Sequence, residues 1–553
     1  MQSPYFIGKL IRFVYVGILL TVPALFAAYP LCATSSIGNS VRTSWDQLKL
    51  TGSLQTDFLF PQRDAAIGTE SVKEKILNNT YLDMALSVAD RLSVGARLEY
   101  LDHPLPGFEK DFAGWGVPYF YATLRSGNLE LTAGDFYEQF GNGLLLRFYE
   151  ERSLGIDNAL RGARILYRPA DGFRIKALGG QQRCYWTHAD SYVWGADAEW
   201  NIDRRWKALS DRNAYWLLGA SYVGKHEKDE AIYVAPDQRL RLPLNIAAFD
   251  VRMQFQRGGY NLLADYAWKI NDPSFDNRYS YAKGRVLFLS ASYSQKGMSL
   301  LVQAKRSENM AYRSLRSQTG NAAFINHLPA FTQQHTYALA ALYPYATQPL
   351  GEWAFQGSAG YRFRSHTPLG GKYGTSLKLH VSHIRALHPQ PDADNLYYQD
   401  INLLFEKKIV RDFELHLLYM NQRYNQFVVE GHAQRGNLVK SHIYVADGNY
   451  RLTPKLSLRA ELQYLHTRQA EGDWLYALLE LSWLPSFIFS LSDMYNSGQT
   501  DLHYYSGAVT YTCHSHRLQL GYGRTRAGYN CAGGICRYVP ASKGVQITYN
   551  FNF

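Results

Sequence analysis

Long apolar runs are largely missing from this chain of 553 residues. One stretch near the start, Phe13 to Ala28, is apolar; beyond it no segment approaches the ~20 apolar residues that a membrane helix needs. Mean hydropathy is −0.29, which on its own reads as a soluble protein. Helical periodicity is missing too, and no second composition class interrupts the sequence. These absences exclude a helical bundle, but they do not exclude strands that cross a bilayer, because only alternate residues of such a strand face lipid. Catalytic signatures are scarce as well. His226-Glu-Lys-Asp-Glu230 lacks the second histidine of a zinc-protease motif. Gly219-Ala-Ser-Tyr-Val-Gly224 fails the spacing of a nucleophile elbow.

What the chain has is alternation. In Lys455 to Tyr464, Leu456, Leu458, Ala460, Leu462 and Tyr464 share one face, and Ser457, Arg459, Glu461 and Gln463 share the other. The last residues repeat the pattern, with Val545, Ile547, Tyr549, Phe551 and Phe553 on one face. Strands of about 9–11 residues with this period read as a transmembrane β-barrel. The aromatic load of 14% suits the girdles at its two interfaces. Tyr549, Phe551 and the terminal Phe553 resemble the signal read by the barrel-assembly machinery. At the other end, Lys9 and Arg12 precede the apolar run and small residues follow to Ala33, as in a secretory signal peptide. The expected organisation is a signal peptide over 1–33, a short periplasmic segment over 34–45 and an outer-membrane barrel over 46–553.

The fold class expected is all-β, a single large antiparallel transmembrane barrel of 24 or 26 strands, with 22 possible, and no N-terminal plug. The least certain turns lie between His335 and Tyr397. Short connections such as Asp90-Arg91, Pro169 to Gly172 and Lys296-Gly297 are assigned to the periplasm, and longer ones near 103–117, 140–160, 308–334 and 526–543 to the outside. So many strands leave a wide lumen. The loop His103 to Pro118 is the candidate constriction, with Phe108, Phe112 and Trp115 giving it something to pack. The net charge of +11 is interleaved singly through strands, which favours lumen, loops and lipid headgroups over nucleic acid.

Four cations converge on one hairpin. Arg164 and Arg168 lie opposite Ala163, Ile165 and Tyr167, and Arg174 and Lys176 lie opposite Phe173, Ile175 and Ala177. Cations facing lipid cost about 2–4 kcal/mol at the midplane, so all four are placed in the lumen. They read either as an anion-attracting wall or as part of a salt-bridge lattice with Glu138, Glu150, Asp157 or neighbouring-strand acids. Asp135, Glu138, Glu150 and Glu151 with His103 or His188 are the acids and histidines that an enzyme at the barrel mouth would use. His514 and His516 share a strand face. Neither set is specific, and no metal, cofactor or catalytic residue is assigned. Cys531 and Cys536 flank Ala-Gly-Gly-Ile in the last long connection, where two glycines permit the tight reversal a disulfide needs. The loop they close is expected to be a rigid exposed knob.

Pro104 to Phe120, Gly134 to Gly141, Tyr149 to Asn158 with Arg161-Gly162, and Cys531 to Ala541 resemble a family of uncharacterised outer-membrane proteins from Bacteroidetes. The resemblance implies location and fold and brings no activity with it. The first functional reading is a pore or transporter for small polar or anionic solutes. The second is a non-enzymatic scaffold or partner-binding barrel for surface-protein assembly or secretion. An open, charged bore would favour the first and a blocked bore the second. The partners expected are outer-membrane lipid, lipopolysaccharide and the barrel-assembly machinery.

Overall fold

Large apolar side chains at every second position can face lipid only if the strands carrying them pair side by side, with polar neighbours turned inward. In the computed structural model, which describes residues 48–70, 72–431 and 437–553, they pair as one antiparallel sheet built of successive hairpins. The signal-peptide and periplasmic-segment readings lie outside the described residues. The sheet contains 25 strands. Thr187–His188 pairs only with the end of Phe173–Cys184, and the other 24 form a closed wall. The barrel and the lower of the two expected strand numbers therefore stand. Among the described residues, helix is confined to single turns such as Lys207–Ser210 and Gln426–Glu430.

Closure joins the first wall strand to the last. Leu48–Pro61 pairs with Ser542–Asn552 from Ser53↔Asn552 to Pro61↔Gly544. Phe553 continues the ladder, donating its N–H to Gly52 O at 3.0 Å and accepting from Gly52 N at 2.9 Å. Its ring lies over Gly52, where a Cβ would come within 2.3 Å of a ring carbon. Phe551 stacks between Phe553 and His516, at 5.4 and 4.3 Å between centroids. The Tyr549 hydroxyl meets His516 Nδ1 at 2.8 Å.

The two faces differ as the alternation requires. Leu462 is 65% exposed on the outer surface, whereas Glu461 and Gln463 are 4% and 3% exposed in the lumen. Outward Val302, Leu491 and Leu300 continue the apolar band.

The expectation of a barrel with no N-terminal plug is corrected: the lumen is not left free, and its filling comes from within the barrel sequence. The lumen is filled by residues 309–350, the connection between Met298–Glu308 and Gly351–Phe363. Met310, Tyr312, Ile325, Phe331, Leu339 and Tyr345 in it are buried. They pack with Phe140, Leu144 and Phe148 of a second inserted connection, and with Val286, Ile384, Met420 and Trp474 from the wall. A barrel this wide has more interior than its own side chains can fill, so connections fill it. This also resolves the ambiguous turns: residues from 335 to 350 belong to the filling, and the wall resumes at Gly351.

Trp474 is 1% exposed, packed on Tyr504 and under the Arg526 guanidinium. Trp474→Ala should lower unfolding stability in detergent by about 3–5 kcal/mol. The outward Leu462→Ala should cost well under that, as followed by thermal or urea midpoints. Equal losses would contradict the assignment of faces.

Candidate functional site

The filled lumen is the only extended polar environment that the wall alternation creates among the described residues, and its chemistry begins with three lysines. Lys225, Lys269 and Lys305 point inward from Ala214–Glu227, Tyr260–Lys269 and Met298–Glu308, and all three side chains are fully shielded from solvent. Such charges persist only with partners. Lys225 meets Asp272 at 3.1 Å and Glu227 at 3.2 Å. Lys269 donates to the carbonyl of Ala311 and faces Asp272 at 3.5 Å. Lys305 meets Glu352 at 2.9 Å and donates to Pro329 O at 2.5 Å. Two of the lysines thereby hold backbone carbonyls of the 309–350 segment. Other wall side chains do the same work: Gln463 Oε1 accepts from Leu339 N at 2.9 Å, Gln422 donates to Tyr343 O at 3.1 Å, and Asp447 accepts from Tyr337 at 3.2 Å.

The second inserted connection, 137–159, is held by arginines. Arg97 meets Asp83 at 2.6 Å, Glu150 at 3.0 Å and Asp157 at 3.2 Å. Arg183 meets Glu99 at 2.7 Å and Asp157 at 2.6 Å. The acids considered for catalysis are thus committed elsewhere. Glu150 also pairs with Arg152, Glu138 with Lys176 and Arg164, and Asp135 with Arg161. Glu151 accepts from the Ser153 backbone at 3.2 Å. His188 stands 3.8 Å from Asp135, while His103 faces Glu74 and Asp102. Among the described residues no group of three or more histidines, cysteines or acids could hold a metal ion.

Of the four candidate cations, Arg164 and Lys176 share one acid, Glu138, and the other two stand apart from it. Arg164 pairs with Glu130 and with Glu138 at 3.2 Å, and Arg174 pairs with Glu199. Lys176 meets Glu138 at 2.7 Å and donates to Gln139 O at 2.9 Å. Arg168 lies where the register shifts before the turn and is exposed. At three of the four positions a carboxylate compensates the charge.

Phe108 and Phe112 pack edge to face at 5.9 Å, and Phe112 packs on Tyr185 at 4.9 Å. Trp115 does not join them. It is 50% exposed on the outer face of Gly114–Ser126, because the strand begins one residue before it and alternation turns it outward.

Cys531 and Cys536 form a disulfide with a Cα separation of 4.1 Å. They sit in a small hairpin whose tip, Gly533-Gly534, has positive φ at both residues. Gly533 at the tip is exposed, as expected of a knob, but the tip does not stand free. Gly533 O accepts from Ala330 N at 3.4 Å and Gly534 O accepts from Thr347 N at 3.0 Å, so the hairpin lies on the 309–350 segment as a lid. Its glycines supply free carbonyls and no side chains, which lets the two backbones approach.

The 309–350 filling carries no period-two alternation. Its signal is a long connection rich in Tyr, Phe and Pro, such as Tyr343-Pro-Tyr345, with apolar residues at no fixed period.

His327 lies under the lid. Its ring packs against Tyr149 at 5.8 Å, and it is 4% exposed. Burial, reinforced by Arg147 and Lys305, pulls its pKa from 6.5 down to about 3. The sign follows from linkage: the seat is fully stabilised above pH 6.5 and loses stability as pH falls toward 3, because only the released histidine takes up a proton. The loss should reach about 2 kcal/mol by pH 5. His327→Gln should flatten stability between pH 7 and pH 5, measured by urea unfolding; an unchanged slope would remove His327 from the cause.

No curated protein matches the sequence. Among solved structures, the P pilus usher (PapC) translocation pore aligns over 92% of this chain and 99% of its own at 11% identity and TM-score 0.42. The copper transporter OprC aligns over 93% and 82% at 11% identity and TM-score 0.40. The siderophore receptor PirA from Pseudomonas aeruginosa aligns over 91% and 80% at 11% identity and TM-score 0.39. A family described as of unknown function, DUF6029, matches residues 16–553, and the chain belongs to it.

Proposed function

We propose that this protein is a non-enzymatic barrel of the bacterial outer membrane that passes small polar solutes when residues 309–350 leave their seat. One observation carries the reading. The filling segment hangs between two neighbouring wall strands, with Glu308 paired to Gly351 at its two ends, so it can move without opening the wall. The inner face behind it mixes buried polar groups such as Asp400, Asn402, Gln422 and Ser441 with apolar ones such as Ile384 and Met420. The compensated cations give no special weight to anions at the Arg164 hairpin. The outer apolar band would lie in lipid and lipopolysaccharide, and the terminal aromatics would be read by the barrel-assembly machinery.

A second reading, a scaffold or partner-binding barrel, is favoured by the blocked bore itself. Planar-bilayer recording separates the two. Because Glu308 and Gly351 are paired neighbours, the connection can be replaced by a short turn. That variant should conduct continuously, and the parent should open intermittently. Glu352→Ala, which strands the buried Lys305, removes about 3–5 kcal/mol from the seat and should raise the opening frequency. A parent and a Glu352→Ala variant that never open, beside a conducting deletion, would overturn the transport reading in favour of the scaffold.

A further inference from the structure

On the lipid side of the wall, toward the long connections, the outward residues Tyr419, Tyr444, Tyr464, Leu475 and Tyr495 pair laterally into one row. Its tyrosines form the girdle expected where hydrocarbon meets headgroups. One step nearer the middle of the wall the outward row reads Leu417, Ala446, Leu462, Ala477 and Asp493. Two exposed alanines where the neighbours carry Leu or Tyr leave the surface hollow. With the row above them they line an open groove of about 830 Å³ whose surface is almost wholly apolar. The groove crosses the wall from Leu396–Val410 to Phe487–Asn496, about 24 Å at ~4.8 Å per strand. That width has room for several hydrocarbon chains side by side.

Beyond the girdle the same strands end in cations. Arg423 and Lys440 lie directly opposite each other on the outward face, and Arg468 follows Leu456–Thr467 by one residue. All three are exposed. Arg423 stands about 13 Å along its strand from Tyr419 at ~3.4 Å per residue, a gap that long basic side chains narrow by reaching along the surface. The ion pairs of these strands, Arg459 with Asp447 and Glu461 and His466 with Asp473, leave all three out among the described residues. The acids of this rim have other donors. Asp473 accepts from Tyr464 at 2.7 Å and from Thr467 N at 3.0 Å, and lies 3.0 Å from His466 Nδ1. Asp493 pairs with His503 at 2.7 Å, and Asp501 accepts from Tyr495 at 2.5 Å. Asp493 is three strands from Lys440, about 14 Å away, which exceeds the ~8 Å screening length of physiological salt. The charge along the groove is therefore polarised, with the cations gathered over one end.

A hydrocarbon trough under a cluster of exposed cations fits acyl chains joined to a phosphorylated headgroup. Arginine and lysine hold phosphate through charge-assisted bonds, and basic clusters at a bilayer surface attract anionic headgroups. We propose that this outward groove binds a phosphorylated, multiply acylated lipid of the leaflet that faces the long connections. Its chains lie against Ala446 and Ala477, and its phosphate meets Arg423, Lys440 and Arg468. The groove is continuous with the apolar band, so the occupant enters from the bilayer itself. The site holds whether or not the bore opens.

Native mass spectrometry of the folded, delipidated protein in detergent tests it, with diphosphorylated lipid A, phosphatidylglycerol and phosphatidylethanolamine as probes. Lipid A should be retained at least roughly 10-fold more tightly than phosphatidylethanolamine, with phosphatidylglycerol between them. Replacing Arg423, Lys440 and Arg468 together by Gln should weaken lipid A binding roughly 10- to 100-fold. The double variant Ala446→Leu with Ala477→Leu fills the groove, keeps the cations and should also weaken lipid A. All five positions are exposed on the outer face, and a gel shift on boiling monitors folding. Equal retention of the three lipids would reduce the groove to ordinary lipid-facing wall and overturn the site. Lipid A binding unchanged in either variant would overturn it as well. A dimer in detergent that the leucine variant disrupts, with no lipid A bound by the parent, would assign this face to a second copy of the chain instead.

Discussion

A sheet in hydrocarbon cannot leave a backbone edge unpaired, since each orphaned group costs several kcal/mol. Everything else in this protein follows from meeting that constraint by closure. The ladder from Ser53↔Asn552 to Pro61↔Gly544 removes both edges at once, and the Gly52–Phe553 exchange extends it to the last residue. Gly52 is small for a reason that lies in the opposite strand: the Phe553 ring occupies the space a side chain would need. Closure at this strand number fixes a wide circumference, and a wide circumference leaves an interior that wall side chains alone cannot fill.

The filling then inherits an electrostatic problem. Many inward wall residues are charged or polar, beside apolar ones such as Val286, Ile384 and Met420, so any segment entering the lumen meets charges with little water to solvate them. The structure answers with local neutrality. Lys305 has Glu352, Lys225 has Asp272, and Arg252 has Asp197, Glu199 and Asp250. Such pairs contribute little net stability once their desolvation is counted, but losing one partner is expensive. They define where the inserted segments sit more than how strongly they are held, and the apolar packing around Tyr312, Phe331 and Trp474 supplies the cohesion.

This division explains what the sequence could and could not reveal. Period-two alternation reports a residue's own strand, so the faces of Lys455 to Tyr464 and the inward placement of Arg164, Arg174 and Lys176 were legible. Their partners were only partly so: Glu138 in a different connection could be named and acids on neighbouring strands expected, whereas that these are Glu130 and Glu199 depends on the register of lateral pairing. Residues 309–350 have no period at all, because packing inside a lumen obeys shape and not a repeat. Trp115 was misplaced because its aromatic neighbours in sequence suggested a cluster, while one step into a strand sent it to the opposite side of the wall. The disulfide loop was readable as a tight reversal, but nothing local to it reports that its glycine carbonyls would lie on Ala330 and Thr347.

The filling is also lopsided. Polar contacts of the 309–350 segment reach wall strands from Phe173–Cys184, through Gln182, round to Leu456–Thr467, through Gln463. Beside the closing seam the space is occupied instead by shorter connections and the disulfide hairpin, and there a cavity remains beneath Arg537. A segment anchored on one side and free of the seam can swing about its attachment at Glu308 and Gly351 while the closing ladder stays intact. The lid hairpin touches both regions, resting its tip on Ala330 and Thr347 and its Arg537 side chain over the seam-side cavity. Displacing the lid therefore changes the seam-side cavity and the seat of the main segment together. This is the geometry a barrel needs if movement at its mouth is to be felt in its bore.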